Sequence, residues 1–324
     1  MVDITVAIPT YNGEKRLPNV LEKLRECAAH AARSQTDTER FSWEIIVIDN
    51  NSNDNTAQVV QKYQAEWNFP YPLRYCFEAK QGLATARQRA ISEANSTFVA
   101  FLDDDNLPTP NWVAAAYSFG KTHPKAGAYS GQIHADFEVQ PPENFQKIEG
   151  FLAIREHGTE PHLFEPENLR LPPGAGLVVR KQAWIENVPL NTVLQGRVNG
   201  TMVAGDDYEA LLYMYKAGWE IWYNPDMHIY HQIPHWRLER DYLLSLCRGC
   251  GLATCQLRLI NAKSWQKPIV IARTLLGNLR RVTLHYIKYR EQLKTDVIAA
   301  CEMEFFLGSL ISPFYTLNNN QWLI

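Results

Sequence analysis

The chain has 324 residues, 46% of them hydrophobic, with a mean hydropathy of −0.30 and a formal net charge of −3. That length accommodates one large domain or two smaller ones, and the apolar share is sufficient for a full core. A charge this close to zero gives no electrostatic ground for expecting nucleic acid as a partner. The opening residues, MVDITVAIPTYNG, lack a basic region followed by an apolar stretch. No run of about 18 or more uncharged apolar residues occurs, so neither a signal peptide nor a spanning helix is expected. The cysteines, Cys27, Cys76, Cys247, Cys250, Cys255 and Cys301, are sparse and fit reduced thiols in a cytoplasmic protein.

In chain order, Ile4 to Pro9 predicts a first buried strand. The turn Thr10-Tyr11-Asn12-Gly13 closes it, and a helix follows with Leu17, Val20, Leu21 and Leu24 at helical spacing. Ala31 to Ser42 is polar and predicts a surface insertion. Glu44 to Ile48 predicts a second strand ending in Asp49, Asn50, Asn51 and Ser52, with Ser52 or Asp54 placed to cap a helix through Val59, Val60 and Tyr63. Leu73 to Phe77 predicts a third strand and Gly82 to Ala94 a helix bearing Arg87 and Arg89. Phe98 to Leu102 is an unbroken apolar run, the pattern of a strand buried on both faces. Asp103, Asp104 and Asp105 follow at once, then Asn106 and the strand-stopping Pro108 and Pro110, with a helix starting near Asn111.

Strands alternating with helices predict an α/β fold with a mostly parallel sheet. The first, second and fourth strand ends then converge on one rim, where open α/β sheets bind ligands. The first turn has no GxGxxG, which argues against hydride transfer. Three adjacent carboxylates either form a solvated acidic loop or face a cation. At the end of a buried strand they suit Mg²⁺ or Mn²⁺, with a diphosphate supplying the remaining ligands.

VAIPTYNG, EIIVIDNNSNDNT, GLATARQRAI and FVAFLDDDN, in this order and spacing, resemble the inverting family-2 glycosyltransferases of the GT-A fold. The resemblance continues through Pro173-Gly174-Ala175-Gly176, Arg180 and Leu194-Gln195-Gly196-Arg197 to Gly205-Asp206-Asp207-Tyr208-Glu209. That last stretch is similar to the family's Gly-Glu-Asp motif with Asp in place of Glu. His231 follows in YHQIPHWRLERDYL, and the resemblance ends near residue 250. IPTYNG, GAGLVVRKQAW and HQIPHWRLERDYL together resemble the cyanobacterial hormogonium polysaccharide glycosyltransferases.

The resemblance implies a GT-A nucleotide-diphospho-sugar transferase domain over residues 1–237; from about Leu238 the chain reads as helical to its end, which predicts a helical C-terminal extension over 238–324. It implies transfer of a hexose-type sugar, with inversion, from a UDP- or GDP-sugar to a hydroxyl of a glycan or lipid-linked acceptor. Departure of a diphosphate builds negative charge that a bound Mn²⁺ or Mg²⁺ stabilises. Asp105 takes the place of the metal ligand in the family's Asp-x-Asp motif, and His231 that of a histidine approaching the metal or diphosphate. Asp103 takes the place facing the ribose and metal shell, while Asp104 fills the variable middle position, where it can be solvated. Pro9, Thr10, Tyr11 and Glu14 lie in the nucleoside-binding loop. Asp49 takes the base-contacting place, and Asn50 stands where many members have a second Asp. Arg87 would face the diphosphate or base; the alternative is a solvated arginine on a helix face. The acceptor hydroxyl must lose a proton as it attacks, and Asp207 matches the family's general base. Asp206 is its neighbour, holding the loop or the acceptor, and Gly174, Ala175 and Gly176 form an acceptor-side loop. The alternative for Asp206 and Asp207 is an ordinary acid pair at a helix start.

His228, His231 and His235, with Cys247, Cys250 and Cys255, invite a zinc reading. Leu243, Leu244, Leu246 and Leu252 instead suggest a helix with buried thiols there. Trp184 and Trp219 fit core packing better than sugar stacking. Lys267 to Arg290 alternates Ile269, Ile271, Leu275, Leu276 and Leu279 with Arg273, Arg280, Arg281, Lys288 and Arg290. Such a helix can lie on an anionic membrane or pack on the catalytic domain with a solvated basic face. Val297 to Leu317 carries Glu302 and Glu304, which argues against spanning. A packed helix is the favoured reading, and a cytoplasmic enzyme is the resulting expectation, with the inner face of the plasma membrane as the alternative setting that the basic helix allows. A non-catalytic nucleotide-sugar-binding protein is the alternative, as is a sugar nucleotidyltransferase, although its Gly- and Arg/Lys-rich triphosphate loop is missing.

Overall fold

The computed structural model describes residues 2–34, 41–196 and 201–318. It opens with β1 (Val2–Thr10), α1 (Leu17–Ser34), β2 (Trp43–Asp49), α2 (Thr56–Ala65), β3 (Leu73–Phe77), α3 (Leu83–Glu93) and β4 (Ser96–Phe101). Helix α1 runs well into the expected insertion, because Cys27, Ala28 and Ala31 continue its apolar stripe and are buried with it. Residues 35–40 of that insertion lie outside the described residues, and Phe41 at its end is buried, not on the surface. Next come β5 (Asn106–Pro108), α4 (Trp112–Thr122), β6 (Ala126–Phe137), β7 (His162–Leu163), β8 (Val178–Arg180), α5 (Lys181–Asn187), α6 (Asp206–Lys216) and β9 (Glu220–Ile233). The chain ends in α7 (Arg240–Asn261), α8 (Lys267–Tyr289) and α9 (Val297–Asn318).

The strands form one sheet in the order β3-β2-β1-β4-β8-β6-β9-β5, with β7 on β9. The β3-β2-β1-β4 portion is wholly parallel, as the continuous apolar runs require. Ile4, Val6 and Ile8 face α1 on one side, where Leu17, Val20, Leu21 and Leu24 are fully buried. Ala7, Ile46, Ile48 and Phe101 face the other side with Ala86, Ala90 and Ile91 of α3. Strand β8 enters antiparallel between β4 and β6, so the sheet is mixed beyond β4. This is the expected α/β architecture with a mostly parallel central sheet and a helical C-terminal part.

Register fixes the rim. Thr10 pairs with Asp49, so β1 and β2 end level, and Ala7 pairs with Phe101, which sends the three carboxylates out beside Thr10. Strand β5 then pairs antiparallel with β9, opposing Asn106 to His231 and bringing that histidine to Asp105. A third cluster, including Phe145, Leu152, Ile233, Leu246, Cys247 and Cys301, seats α7 and α9 against the sheet.

Among the described residues, Arg240–Asn261 and Val297–Leu317 are long and apolar enough to cross a membrane by length and composition, contrary to the reading from uncharged runs. Single charges such as Arg248 and Glu302 interrupt the runs while the mean stays apolar. Within the fold these helices pack on each other, and 61% and 50% of their apolar windows are buried.

Candidate active site

A cavity of about 1040 Å³ opens at the rim, walled by the β1 turn, Asp103 to Asp105, the Gly174 loop and the start of α6. Helices α7 and α9 close it, through residues such as Ala253, Leu257 and Phe305.

Each carboxylate of the Asp103 run meets a cation. Asp104 is buried; it accepts a hydrogen bond from the Thr10 hydroxyl at 2.5 Å and a two-pronged one from Arg16, Nε and Nη2 both at 2.9 Å. It is therefore not the solvated middle residue that the sequence suggested. With this geometry it clamps the β1 turn to the end of β4. Asp105 is buried too. Its Oδ2 lies 2.8 Å from Arg237 Nη2 and 3.7 Å from His231 Nε2. Burial opposes ionisation of Asp105, but the His231 ring in its protonated form and the Arg237 guanidinium outweigh it and hold the carboxyl well below the usual range. Asp103 lies 3.9 Å from Arg87.

His231 has a defined tautomer. Nδ1 is 2.9 Å from the Leu152 carbonyl, an acceptor, so Nδ1 carries the proton in the neutral ring. Nε2 accordingly offers a lone pair, and Arg237 Nη1 donates to it at 2.9 Å. The other two histidines diverge from it: His228 bonds His134, and His235 bonds Glu138.

Arg87 decides between its two expected settings. It is 3% exposed, with Nη1 donating to Asp206 Oδ2 at 2.9 Å, so it is no surface arginine. Its approach depends on Gly174, since a Cβ there would sit 2.0 Å from Arg87 Nη2. Gly205, at φ +108°, turns the chain so that α6 begins with both acids facing the cavity. Burial pushes the Asp206 carboxyl up to about 6, with the Arg87 guanidinium opposing. Asp207 is half-buried. Its Oδ2 accepts from the Gly174 N–H at 2.6 Å and its Oδ1 from the Tyr208 N–H at 2.8 Å. Asp206 thus holds the arginine, and Asp207 presents its carboxylate to the open cavity.

Pro9, Thr10, Tyr11, Asn50, Arg87, Asp103 to Asp105, Gly174, Ala175, Asp206, Asp207 and His231 all line this cavity. Glu14, Asp49 and Gly176 do not. The Glu14 carboxylate accepts from Asn55, and the Asp49 carboxylate is taken by the Tyr75 hydroxyl and the Ser52 N–H. Gly176 packs against Ile229 at φ +66° and serves the turn into β8. Asn50 both donates to the Lys80 carbonyl and accepts from the Gly82 N–H, at 2.7 Å each. A carboxylate could not donate in the first of these, which accounts for an amide at this place. Arg197 lies outside the described residues. Trp184 packs on Phe101 and Trp219 near Arg180, both away from the cavity.

Sequence reasoning did not single out Arg16, Arg237 or Glu209. Arg237 had a signal, six residues after His231 within a motif already noted. Glu209 is fully buried and accepts the N–H groups of Val193 and Leu194 at 2.9 and 2.7 Å, anchoring the loop before α6. Burial pushes its carboxyl from 4.5 up to about 7. A raised folded-state value means that the associated stability is fully present below about 4.5 and is lost as pH rises through about 7. Unfolding free energy is expected to fall by about 3 kcal/mol across that window from this group. Denaturant unfolding at pH 5 and pH 8 should show a smaller difference for Glu209→Gln than for wild type; an equal difference would remove Glu209 as the source.

The sequence matches the profile of Glycosyl transferase family 2 over residues 5–183. The chain belongs to that family. It is 28% identical over 123 residues to the poly(ribitol-phosphate) beta-N-acetylglucosaminyltransferase TarS of Staphylococcus aureus, covering 38% of this chain and 20% of that protein. It is 22% identical over 172 residues to a glucosyl-dolichyl phosphate glucuronosyltransferase of Haloferax volcanii, covering 52% and 54%. The chain thus spans about half or less of the length of these relatives. Among solved structures, a mannosyltransferase from Pyrobaculum calidifontis in complex with GDP-Man and Mn²⁺ superposes with a TM-score of 0.57 at 17% identity, covering 97% of this chain and 89% of that one. TarS 1–349 of S. aureus in complex with UDP-GlcNAc gives 0.51 at 16% identity, covering 98% and 92%. These likenesses show the GT-A fold for this family-2 glycosyltransferase and align over nearly its whole length.

Proposed function

We propose that this family-2 glycosyltransferase moves a sugar from a nucleotide-diphospho-sugar to a hydroxyl acceptor in one inverting displacement, aided by Mn²⁺ or Mg²⁺. The observation that carries the reading is the meeting of two acidic groups in one cavity. Asp103 to Asp105 sit at the end of β4, Asp207 opens onto the same space from α6, and Arg87 ties the two sides through Asp103 and Asp206. A donor held at the first group would present its anomeric carbon to an acceptor hydroxyl beside Asp207, which can take the proton. Arg16, Arg87 and Arg237 line the same cavity and add positive charge for a diphosphate. Neighbours that bind UDP-GlcNAc and GDP-Man support a UDP- or GDP-sugar as donor. Relatives named for a poly(ribitol-phosphate) and a glucosyl-dolichyl phosphate support a polymeric or lipid-linked acceptor. Work on a surface polysaccharide at the cytoplasmic face of a membrane fits such an acceptor.

Asp105 and His231 suit the metal. A carboxylate and an imidazole lone pair converge within 3.7 Å, and a guanidinium already bridges them. Among the described residues no group of three or more His, Cys, Asp or Glu is placed to hold a metal ion. Donor oxygens would complete the shell. Bound there, the metal supplies Lewis-acid stabilisation of the departing diphosphate. Calorimetry of Asp105→Ala is expected to show Mn²⁺-dependent nucleotide-diphosphate binding abolished in a folded protein; unchanged metal-dependent affinity would sink the assignment. The reading as a whole is tested by screening nucleotide-sugars for slow Mn²⁺-dependent hydrolysis. At least one should be cleaved. Tight binding of a nucleotide-sugar with no cleavage of any would leave a binding protein instead.

A further inference from the structure

Helix α8 half-buries Val270, Ile271, Leu275 and Val282, yet its fully buried positions are polar and much of its apolar surface is left outside. The residues it buries are Thr274, Asn278 and His285, and the residues it shows to solvent include Ile269, Leu276, Leu279, Leu284 and Ile287. Leu276 is 69% exposed and Ile287 67%. The buried polar groups all have partners: Arg258 donates to Thr274, Asn278 Nδ2 to the Thr274 carbonyl, and His285 Nε2 bonds the Ala299 carbonyl. The helix is thus held to α7 and α9 in part through hydrogen bonds, while large apolar side chains are left outside. A solvent-facing helix surface ordinarily shows the reverse pattern.

The outward face is patterned. With a turn of about 100° per residue, Ile269, Leu276 and Ile287 fall within roughly 20° of one line along the helix, and Arg273 and Arg280 run just beside it. Lys267, Arg273, Arg280, Arg281 and Lys288 are the only charged residues of α8, which has no Asp or Glu, although the chain as a whole carries −3. Trp265, 68% exposed, stands immediately before the helix. An apolar stripe flanked on one side by Arg273 and Arg280 and preceded by an exposed tryptophan is the composition of a helix lying in a membrane interface.

We infer that α8 is the surface by which this enzyme docks on an anionic lipid bilayer, lying in the interface without spanning it. The charge selects the occupant. A second copy seated on this face by a two-fold axis would bring its arginine rows against themselves. Anionic headgroups would neutralise the same rows while the acyl boundary takes Leu276 and Ile287. The placement is functional as well: α7, the helix to which α8 is tied through Arg258, also lines the catalytic cavity, so docking would hold that cavity near the bilayer surface. The inference concerns adsorption and does not depend on the donor chemistry.

The test is flotation of the full chain with vesicles of phosphatidylcholine, with or without phosphatidylglycerol. The protein is expected to float with the anionic vesicles only, and less so at high salt. Arg280→Glu with Lys288→Glu should lower the partition coefficient at least about 25-fold, since each basic residue near such a surface is worth roughly a factor of five. Leu276→Asp with Ile287→Asp should abolish flotation even at low salt, because it removes the apolar contact. Unchanged circular dichroism and unchanged nucleotide-sugar hydrolysis by both variants would establish that each is folded. No flotation of the wild type, or equal flotation of wild type and variants, would overturn the inference. So would concentration-dependent dimerisation lost in Leu276→Asp with Ile287→Asp, which would give the face to a second copy.

Discussion

Asp207→Asn is expected to bind nucleotide-sugar and metal nearly as well as wild type and to transfer at least about 10²-fold more slowly. A general base acts only as the acceptor hydroxyl attacks, so its loss falls on turnover and spares donor binding. General-base contributions of about 10² to 10⁴-fold set the range. The geometry favours Asp207 over its neighbour. Asp206 is buried and committed to Arg87, whereas Asp207 keeps two backbone N–H bonds that orient its carboxylate and still opens onto the cavity. An asparagine keeps the size and can keep the bond from Gly174, but it cannot take the proton. Asp206→Asn is the matched control and should reduce turnover less, its larger effect being on stability. A dead Asp206→Asn beside an active Asp207→Asn would exchange the two roles. Full activity in both would place the base elsewhere.

Much of this site was legible in the sequence because its parts sit at the ends of strongly patterned elements. Four apolar runs gave β1 to β4, and parallel strands buried on both faces leave little freedom in where their ends fall. Asp103 to Asp105, Asn50 and Thr10 are therefore placed by the same signal that predicts the sheet. What escaped was pairing between distant segments. Nothing near Arg16 indicates that it would grip Asp104 across 88 positions, and nothing near Glu209 indicates that it holds the loop at Val193. Such contacts depend on how helices dock on the sheet, which periodicity does not encode. Glu14 shows the converse. Its position in a recognised loop suggested a ligand contact, but that turn directs its carboxylate to Asn55. The face α8 turns inward was likewise not foreseeable. Its pattern allows either side to be buried, and partners on α7 and α9 chose the one that carries Thr274, Asn278 and His285.

Replacing Arg87 by Met is expected to be among the most destabilising single changes in the chain, costing about 3 to 5 kcal/mol, because it strips a buried ion pair of one partner. Arg87 reaches Asp206 at 2.9 Å and Asp103 at 3.9 Å, and Gly174 leaves it no side chain to lean on. Methionine fills part of the space but leaves the Asp206 carboxylate buried without its cation. The cost should shrink at low pH. Burial already pushes the Asp206 carboxyl up to about 6 beside the arginine, and without that cation it would take up a proton at still higher pH, so that a neutral acid needs no partner. The sign follows: the gap between wild type and Arg87→Met should be wide at pH 8 and narrow at pH 5. A double-mutant cycle isolates the pair. Arg87→Met combined with Asp206→Asn should lose clearly less than the sum of the single changes, since the second substitution removes the charge the first one strands. Denaturant unfolding of the four proteins at both pH values measures this directly. Additive losses with no pH dependence would mean that Arg87 stabilises the site through its packing on Phe101 and the Gly174 loop, and that the two carboxylates are held apart by other contacts.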